Sequence, residues 1–197
     1  MKFDITRRMH VVDDAIDRCD NPFHKAILEN YRRHANLEVC GMWEQILVPE
    51  MTAPDAAYRI HVCDKLFAAK GMEEVSVIYR GMVETESSVI FHTDEHIMVS
   101  DEGLMTDYVS HRFWKGSYLQ AQGVAVDDPT GAYIVSQSII CFFPYNSDAI
   151  LAGETVYHGA DMNVRPCPPE EFITVAECRE KLLPKMKSVE QIRYRRG

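Results

Sequence analysis

Hydrophobic positions along the chain change their period near residue 87. Before it they recur about every three to four residues, and after it they alternate. Phe23, Ile27, Tyr31, His34 and Leu37 fall at helical spacing. Pro22 suits the first position of that helix, and Asp20 or Asn21 can cap it. A second helical stretch over 37–47 brings Trp43, Ile46 and Leu47 together, and Pro49 and Pro54 end it. A short β-like segment over 57–62, with Tyr58, Ile60 and Val62, leads to Gly71. There a third helix, over 72–84, carries Val75, Ile78, Tyr79 and Met82 on one stripe.

Alternation then takes over at 88–99 and 104–116, with Asp101-Glu102-Gly103 between them as a hairpin turn. A long strand over 132–143 follows Asp128-Pro129-Thr130-Gly131, and another over 149–157 follows Asn146-Ser147-Asp148. Helices followed by a meander of strands make an α+β fold. The layout expected is an N-terminal arm (1–20, with a short helix over 13–19), a domain (21–161) and an extension (162–197). In the extension a Pro-rich link, Arg165 to Pro169, precedes a helix over 171–183 and a basic tail, Arg193-Tyr194-Arg195-Arg196. A four-stranded antiparallel sheet covered on one face must curl, and its concave side is where a pocket is expected.

Composition narrows the function classes. The chain has 197 residues, of which 46% are hydrophobic and 26% charged, so one domain with a real core is expected. A net charge of −9 repels phosphate backbones and argues against nucleic acid. No segment reaches the roughly 18 apolar residues that span a bilayer, and the N-terminus has no apolar signal region. A cytoplasmic protein without membrane partners is the expectation. Cys19, Cys40, Cys63, Cys141, Cys167 and Cys178 are widely spaced with no C-x-x-C pair, so free thiols are expected. Glycine-rich phosphate motifs and the G-x-S-x-G of serine hydrolases are absent.

The element order, with Asp128-Pro129-Thr130-Gly131, Cys141-Phe142-Phe143, Gly153-Glu154-Thr155-Val156-Tyr157 and Asp161, resembles the nuclear-transport-factor-2-like (NTF2-like) superfamily. Within it the chain resembles the SnoaL-like cyclases and isomerases from about Pro22 to Asp161. That resemblance implies a cystatin-like cone, with N-terminal helices on a curved antiparallel sheet around a cavity. Tyr31, Tyr58, His92 and His111 occur in the order used by scytalone dehydratase. The aspartate expected beside the first tyrosine is missing, Arg32 following Tyr31. The chain also looks similar to the γ-formaldehyde lyases that act on lignin-derived diarylpropane diols. These likenesses imply chemistry without a metal or organic cofactor, an aromatic substrate, and a homodimer or higher homo-oligomer.

Candidate chemistry then attaches to particular residues. On strand 88–99, His92, Asp94 and His96 share a face by alternation, and a carboxylate between imidazoles fixes a tautomer and raises basicity. The opposite face, with Phe91, Ile97 and Val99, is more apolar, so the histidine face lines either the pocket or solvent. On the next strand His111 stands with Val109 and Phe113. Arg112 points the other way with Tyr108 and Trp114, either to hold an anionic group or as a surface residue. Catalysis is expected from Tyr31, His34, Tyr58, His92 and His111, and substrate contact from Trp43, His61, Asp94, Phe113, Cys141 and Glu154. A cupin-like metal set of His92, Asp94, His96 and His111 is the rival arrangement, set against the helical first 85 residues. The function expected is an acid–base lyase or isomerase for a hydroxylated aromatic molecule. A dehydratase or cyclase of the same fold and a non-catalytic binding or dimerisation module are the alternatives.

Overall fold

A computed structural model describes residues 2–62 and 65–195. Cys63 of the thiol set and Arg196 of the basic tail lie outside them. After a short turn at Ile5–Arg7 come α1 (His10–Arg18) and α2 (Pro22–Val39). Asn21 Oδ1 accepts from the backbone N–H of Phe23 and His24, with Pro22 at the first helical position. α2 runs unbroken to Val39, and Gly41 at φ +61 then turns the chain away. The helix expected over 37–47 is therefore corrected: Leu37 belongs to α2, and Trp43 sits in the 3-10 turn Trp43–Gln45. A left-handed glycine just past a helix closes its last carbonyls.

Next come β1 (Thr52–Val62), β2 (Lys65–Lys70), α3 (Gly71–Glu84), β3 (Ile90–Ser100), β4 (Gly103–Lys115) and α4 (Gly116–Ala121). They are followed by β5 (Ala132–Pro144), β6 (Leu151–His158), β7 (Asn163–Pro166), α5 (Val175–Leu182) and α6 (Val189–Ile192). The strands form one seven-stranded sheet in the order β2-β1-β6-β5-β4-β3, with β7 also pairing β5. β1 and β6 run parallel, so the sheet is mixed where four antiparallel strands were expected. β1 begins earlier than its alternation suggested because Pro54 lies at a register shift between Thr52 and Ala57, where a missing N–H is tolerated. β5 is the spine. It pairs along its whole length with β4, while β6 and then β7 share its other edge.

The two largest apolar clusters among the described residues hold these layers. The larger joins Val12 and Ile16 of α1, Ile27, Leu28 and Leu37 of α2 and Val75 of α3 to Leu104, Ile139 and Leu151 of the sheet. The second packs Ile5, Val39, Phe91, Phe113, Ile134, Ile173 and Leu182, binding both terminal segments to one end of the sheet. The extension also grips α2 directly. Lys187 pairs with Glu29, Arg33 Nη1 donates to the Lys187 carbonyl at 2.7 Å, and Tyr194 meets the Phe23 ring edge-on at 5.2 Å. Cys19, Cys40, Cys141, Cys167 and Cys178 are free thiols. Among the described residues no helix is long and apolar enough to cross a membrane.

Candidate active site

Between α2, α3 and the concave face of the sheet lies a cavity of about 760 Å³. Helical spacing brings Tyr31, His34, Ala35 and Glu38 of α2 to its wall, at i, i+3, i+4 and i+7. Strand alternation brings Tyr58, Ile60 and Val62 from β1, Tyr108, Arg112 and Trp114 from β4, and Glu154, Val156 and His158 from β6. Gln137, Cys141 and Phe143 of β5 and Tyr79 of α3 complete the wall. A groove of about 790 Å³ runs between Lys115, Asp128 and Phe172. Among the described residues no histidine lines that groove, and its carboxylates there, Asp127 and Asp128, are solvent-exposed.

A chain of polar groups crosses the cavity's helical side. The Tyr58 and Tyr79 hydroxyls are 3.2 Å apart, and the Tyr79 hydroxyl is 2.8 Å from His34 Nε2. Glu38 Oε2, one turn along α2, lies 3.6 Å from the same nitrogen. Burial, with the nearby Glu154 carboxylate next for Tyr58, pushes both phenols well above the usual tyrosine range. They stay protonated and can donate. Glu154 faces Tyr58 directly, because these two are register partners across the parallel β1–β6 pair. Burial lifts its carboxyl to about 7, with nearby His34 pulling it down and Glu38 pushing it further up.

A second group lies further along the sheet. His92 stacks on Tyr108 with ring centroids 3.9 Å apart and planes 19° apart. Its Nδ1 is 3.4 Å from Glu95 Oε1, a charge contact that leaves this nitrogen without a hydrogen-bond partner. Thr106 Oγ1 donates to the same carboxylate at 3.2 Å. Burial lowers the His92 pKa, and Glu95 opposes the drop. The Tyr108 hydroxyl is 3.6 Å from Cys141 Sγ.

Six of the residues expected in the site meet in this cavity: Tyr31, His34, Tyr58, His92, Cys141 and Glu154. The other five stand elsewhere. His111 is on the opposite face of β4, its nitrogens 2.9 Å from Thr93 Oγ1 and 2.8 Å from Ser136 Oγ, its ring stacked on Phe3 at 4.7 Å. Phe113, on that same face, belongs to the second apolar cluster. Apolar neighbours had suggested a pocket there, but the terminal segments cover that face. Asp94 sits at φ 52 in a β-bulge, where the register passes from Thr93↔Val109 to His96↔Asp107 with one extra residue. The bulge reverses the alternation: His92 and Glu95 are buried, while Asp94 and His96 are exposed. The cupin-like metal set is therefore scattered, with His92 alone of its four members at the cavity. His61 points outward and stacks on Tyr157 at 4.3 Å, and Trp43 packs against the main core.

The residues not foreseen are Glu38, Tyr79, Tyr108, Gln137 and His158, while Arg112, expected either to hold an anionic group or to lie at the surface, stands in the cavity wall. Glu38 was legible, lying four residues after His34 on the Tyr31 face. Tyr79 was visible as a polar tip on an apolar stripe. Tyr108 and Arg112 needed the correct face of β4.

No protein-family model matches the sequence, and no curated protein matches it. Solved structures do. An NTF2-like protein from Anabaena variabilis matches 73% of this chain and 94% of its own, with a TM-score of 0.54 and 10% identity. A protein described as a SnoaL-like polyketide cyclase from Jannaschia matches 72% of this chain and 90% of its own, with a TM-score of 0.53 and 12% identity. At such identities the likeness is one of fold, and it shows that this chain takes the NTF2-like fold, with helices over a curved sheet.

Proposed function

We propose that the protein is an acid–base lyase or isomerase acting on a hydroxylated aromatic small molecule. One observation carries the reading: the hydrogen-bonded run Tyr58–Tyr79–His34, with Glu38 in charge contact with His34 at 3.6 Å, stands beside the elevated carboxyl of Glu154 inside the cavity. A carboxyl poised near neutrality can take a proton from a substrate, and neutral buried phenols can donate to a developing or departing oxygen. The apolar wall of Ile60, Ile78, Met82, Phe143 and Val156 suits an aromatic ring and excludes water from the charges.

The specific reaction we place first is loss of formaldehyde from a diarylpropane diol to give a stilbene. The base removes the proton of the primary hydroxyl, the carbon–carbon bond breaks to release formaldehyde, and its electrons form the alkene. The benzylic hydroxyl, protonated from the tyrosine chain, leaves as water. For a ketone substrate the same base would enolise the adjacent carbon, the step a cyclase or dehydratase needs.

The test is a turnover screen of diarylpropane diols and hydroxylated aromatic ketones, following formaldehyde, water loss or isomerisation. At least one should react, and His34→Gln should slow it about 100- to 10,000-fold. His111→Ala, outside the cavity, should leave the rate within a fewfold of the unmodified protein. Binding of these compounds without turnover, unaltered in His34→Gln, would make the cavity a carrier site and end the catalytic reading. The partners we propose are the aromatic substrate and a second copy of the chain.

A further inference from the structure

The acid–base groups leave one charged cavity residue without employment. Arg112 on β4 is 8% exposed and lines the cavity. Among the described residues no carboxylate lies within ion-pairing distance of its guanidinium. Its one hydrogen bond there runs from Nη1 to Gln137 Oε1, long at 3.4 Å, and the Trp114 ring lies 5.5 Å away. A guanidinium carries five N–H donors in a planar fork, so most of this recognition capacity is unspent. A buried cation with no anion is costly, and a structure that keeps one has use for an anion that arrives from outside.

Arg8 supplies the contrast. It also lines the cavity, yet its Nε donates to the Ile90 carbonyl and its Nη1 to Asn36 Oδ1, each at 3.1 Å. Those bonds tie the N-terminal segment to the cavity wall. Arg112 is instead buttressed for presentation. Gln137 Nε2 donates to the Gly159 carbonyl at 2.6 Å, which turns its Oε1 toward Arg112 and toward His158 Nδ1 at 3.0 Å. His158 must then carry its proton on Nδ1. Burial, with the Arg112 charge second, pushes His158 down to about 4, so at neutral pH it adds no competing charge.

We infer that Arg112, aligned by Gln137, anchors a carboxylate of the substrate, which makes the substrate an apolar or aromatic carboxylic acid. The inference rests on the cavity being the substrate site. It narrows the screen above to diols and ketones that carry an acid group. The planar fork favours a carboxylate, which can accept two parallel N–H bonds.

Calorimetric binding of trans-cinnamate and of its uncharged amide, nearly identical in shape, tests it without turnover. Cinnamate should bind about tenfold or more tightly than the amide, the worth of hydrogen bonds to a charged group. Arg112→Met should weaken cinnamate to the level of the amide and leave the amide unchanged, while Arg112→Lys should keep part of the preference. Equal affinities in the unmodified protein overturn the assignment, as does no cinnamate binding at millimolar concentration or an undiminished preference in Arg112→Met. Should Arg112→Met fail to fold, the acid–amide comparison in the unmodified protein decides alone. A protein that prefers cinnamate but turns over none of the screened compounds keeps the carboxylate site and loses the catalytic reading.

Discussion

Glu154 ties the proposed chemistry to pH at the scale of a single residue. Its carboxyl is lifted from 4.5 to about 7 by burial, and the deprotonated form is the proposed base. The rate constant kcat/KM should therefore rise with pH through about 7. Glu154→Gln should lower it about 100-fold or more and remove that limb. A profile flat through neutral pH in the unmodified protein would take Glu154 out of this role. Stability should run the opposite way. A raised folded pKa means the folded state holds the proton more tightly than the unfolded chain does. The favourable contribution is thus complete below about 4.5 and lost as pH climbs to about 7. The side chain keeps partial contact with the cavity's solvent, so the loss should be on the order of 1–3 kcal/mol. Thermal melts across this window should show the decline, and Glu154→Gln should flatten it. The α2 residues of the site are legible in the sequence, because helical period alone puts Tyr31, His34 and Glu38 on one face. The positions of His111 and Phe113 are not, because both faces of β4 are covered at that end and an apolar neighbourhood no longer marks the pocket side.

At the scale of elements, the site depends on one close approach and one bulge. Gly153 precedes Glu154 on β6, and a Cβ there would lie 2.2 Å from the Ala57 carbonyl oxygen on β1. Those two backbones meet where the β1–β6 register settles and sets Tyr58 opposite Glu154. Gly153→Ala should destabilise the fold by about 1–3 kcal/mol and blunt activity by parting that pair. Urea unfolding gives the first quantity; an unchanged midpoint would show that β1 and β6 separate without cost. The bulge at Asp94 has a different effect. It inserts one residue into β3, so the chain beyond it presents its odd-numbered side chains inward and Glu95 reaches His92. Alternation read straight through that point places Asp94 and His96 on the wrong side. Asp tolerates the left-handed backbone, but so do many aspartates that bulge nothing.

Over the whole molecule, the concave face of the sheet is filled by helices and cavity, while part of the convex face is bare. Met98, Met105 and Phe142 are ladder neighbours there, and Ile140 pairs with Tyr157 beside them. Exposures of 64% for Met98, 51% for Tyr157 and 46% for Ile140 make this row a place for the second copy proposed above. Light scattering should give twice the 22.6 kDa chain mass. Phe142→Asp should halve it while leaving ligand binding intact. A monomer before mutation would discard the dimer.

Periodicity in the sequence determined the order of helices before strands, the α+β class, and the helical half of the site, since a 3.6-residue repeat assigns a face without help from distant segments. Which face of each strand looks inward was left to the tertiary structure. A bulge at Asp94 flips β3, the terminal segments bury the outer side of β4, and the parallel pairing of β1 with β6 alone brings Tyr58 to Glu154. A strand's two faces differ only in what lies against them, and here what lies against them comes from residues far away in the chain.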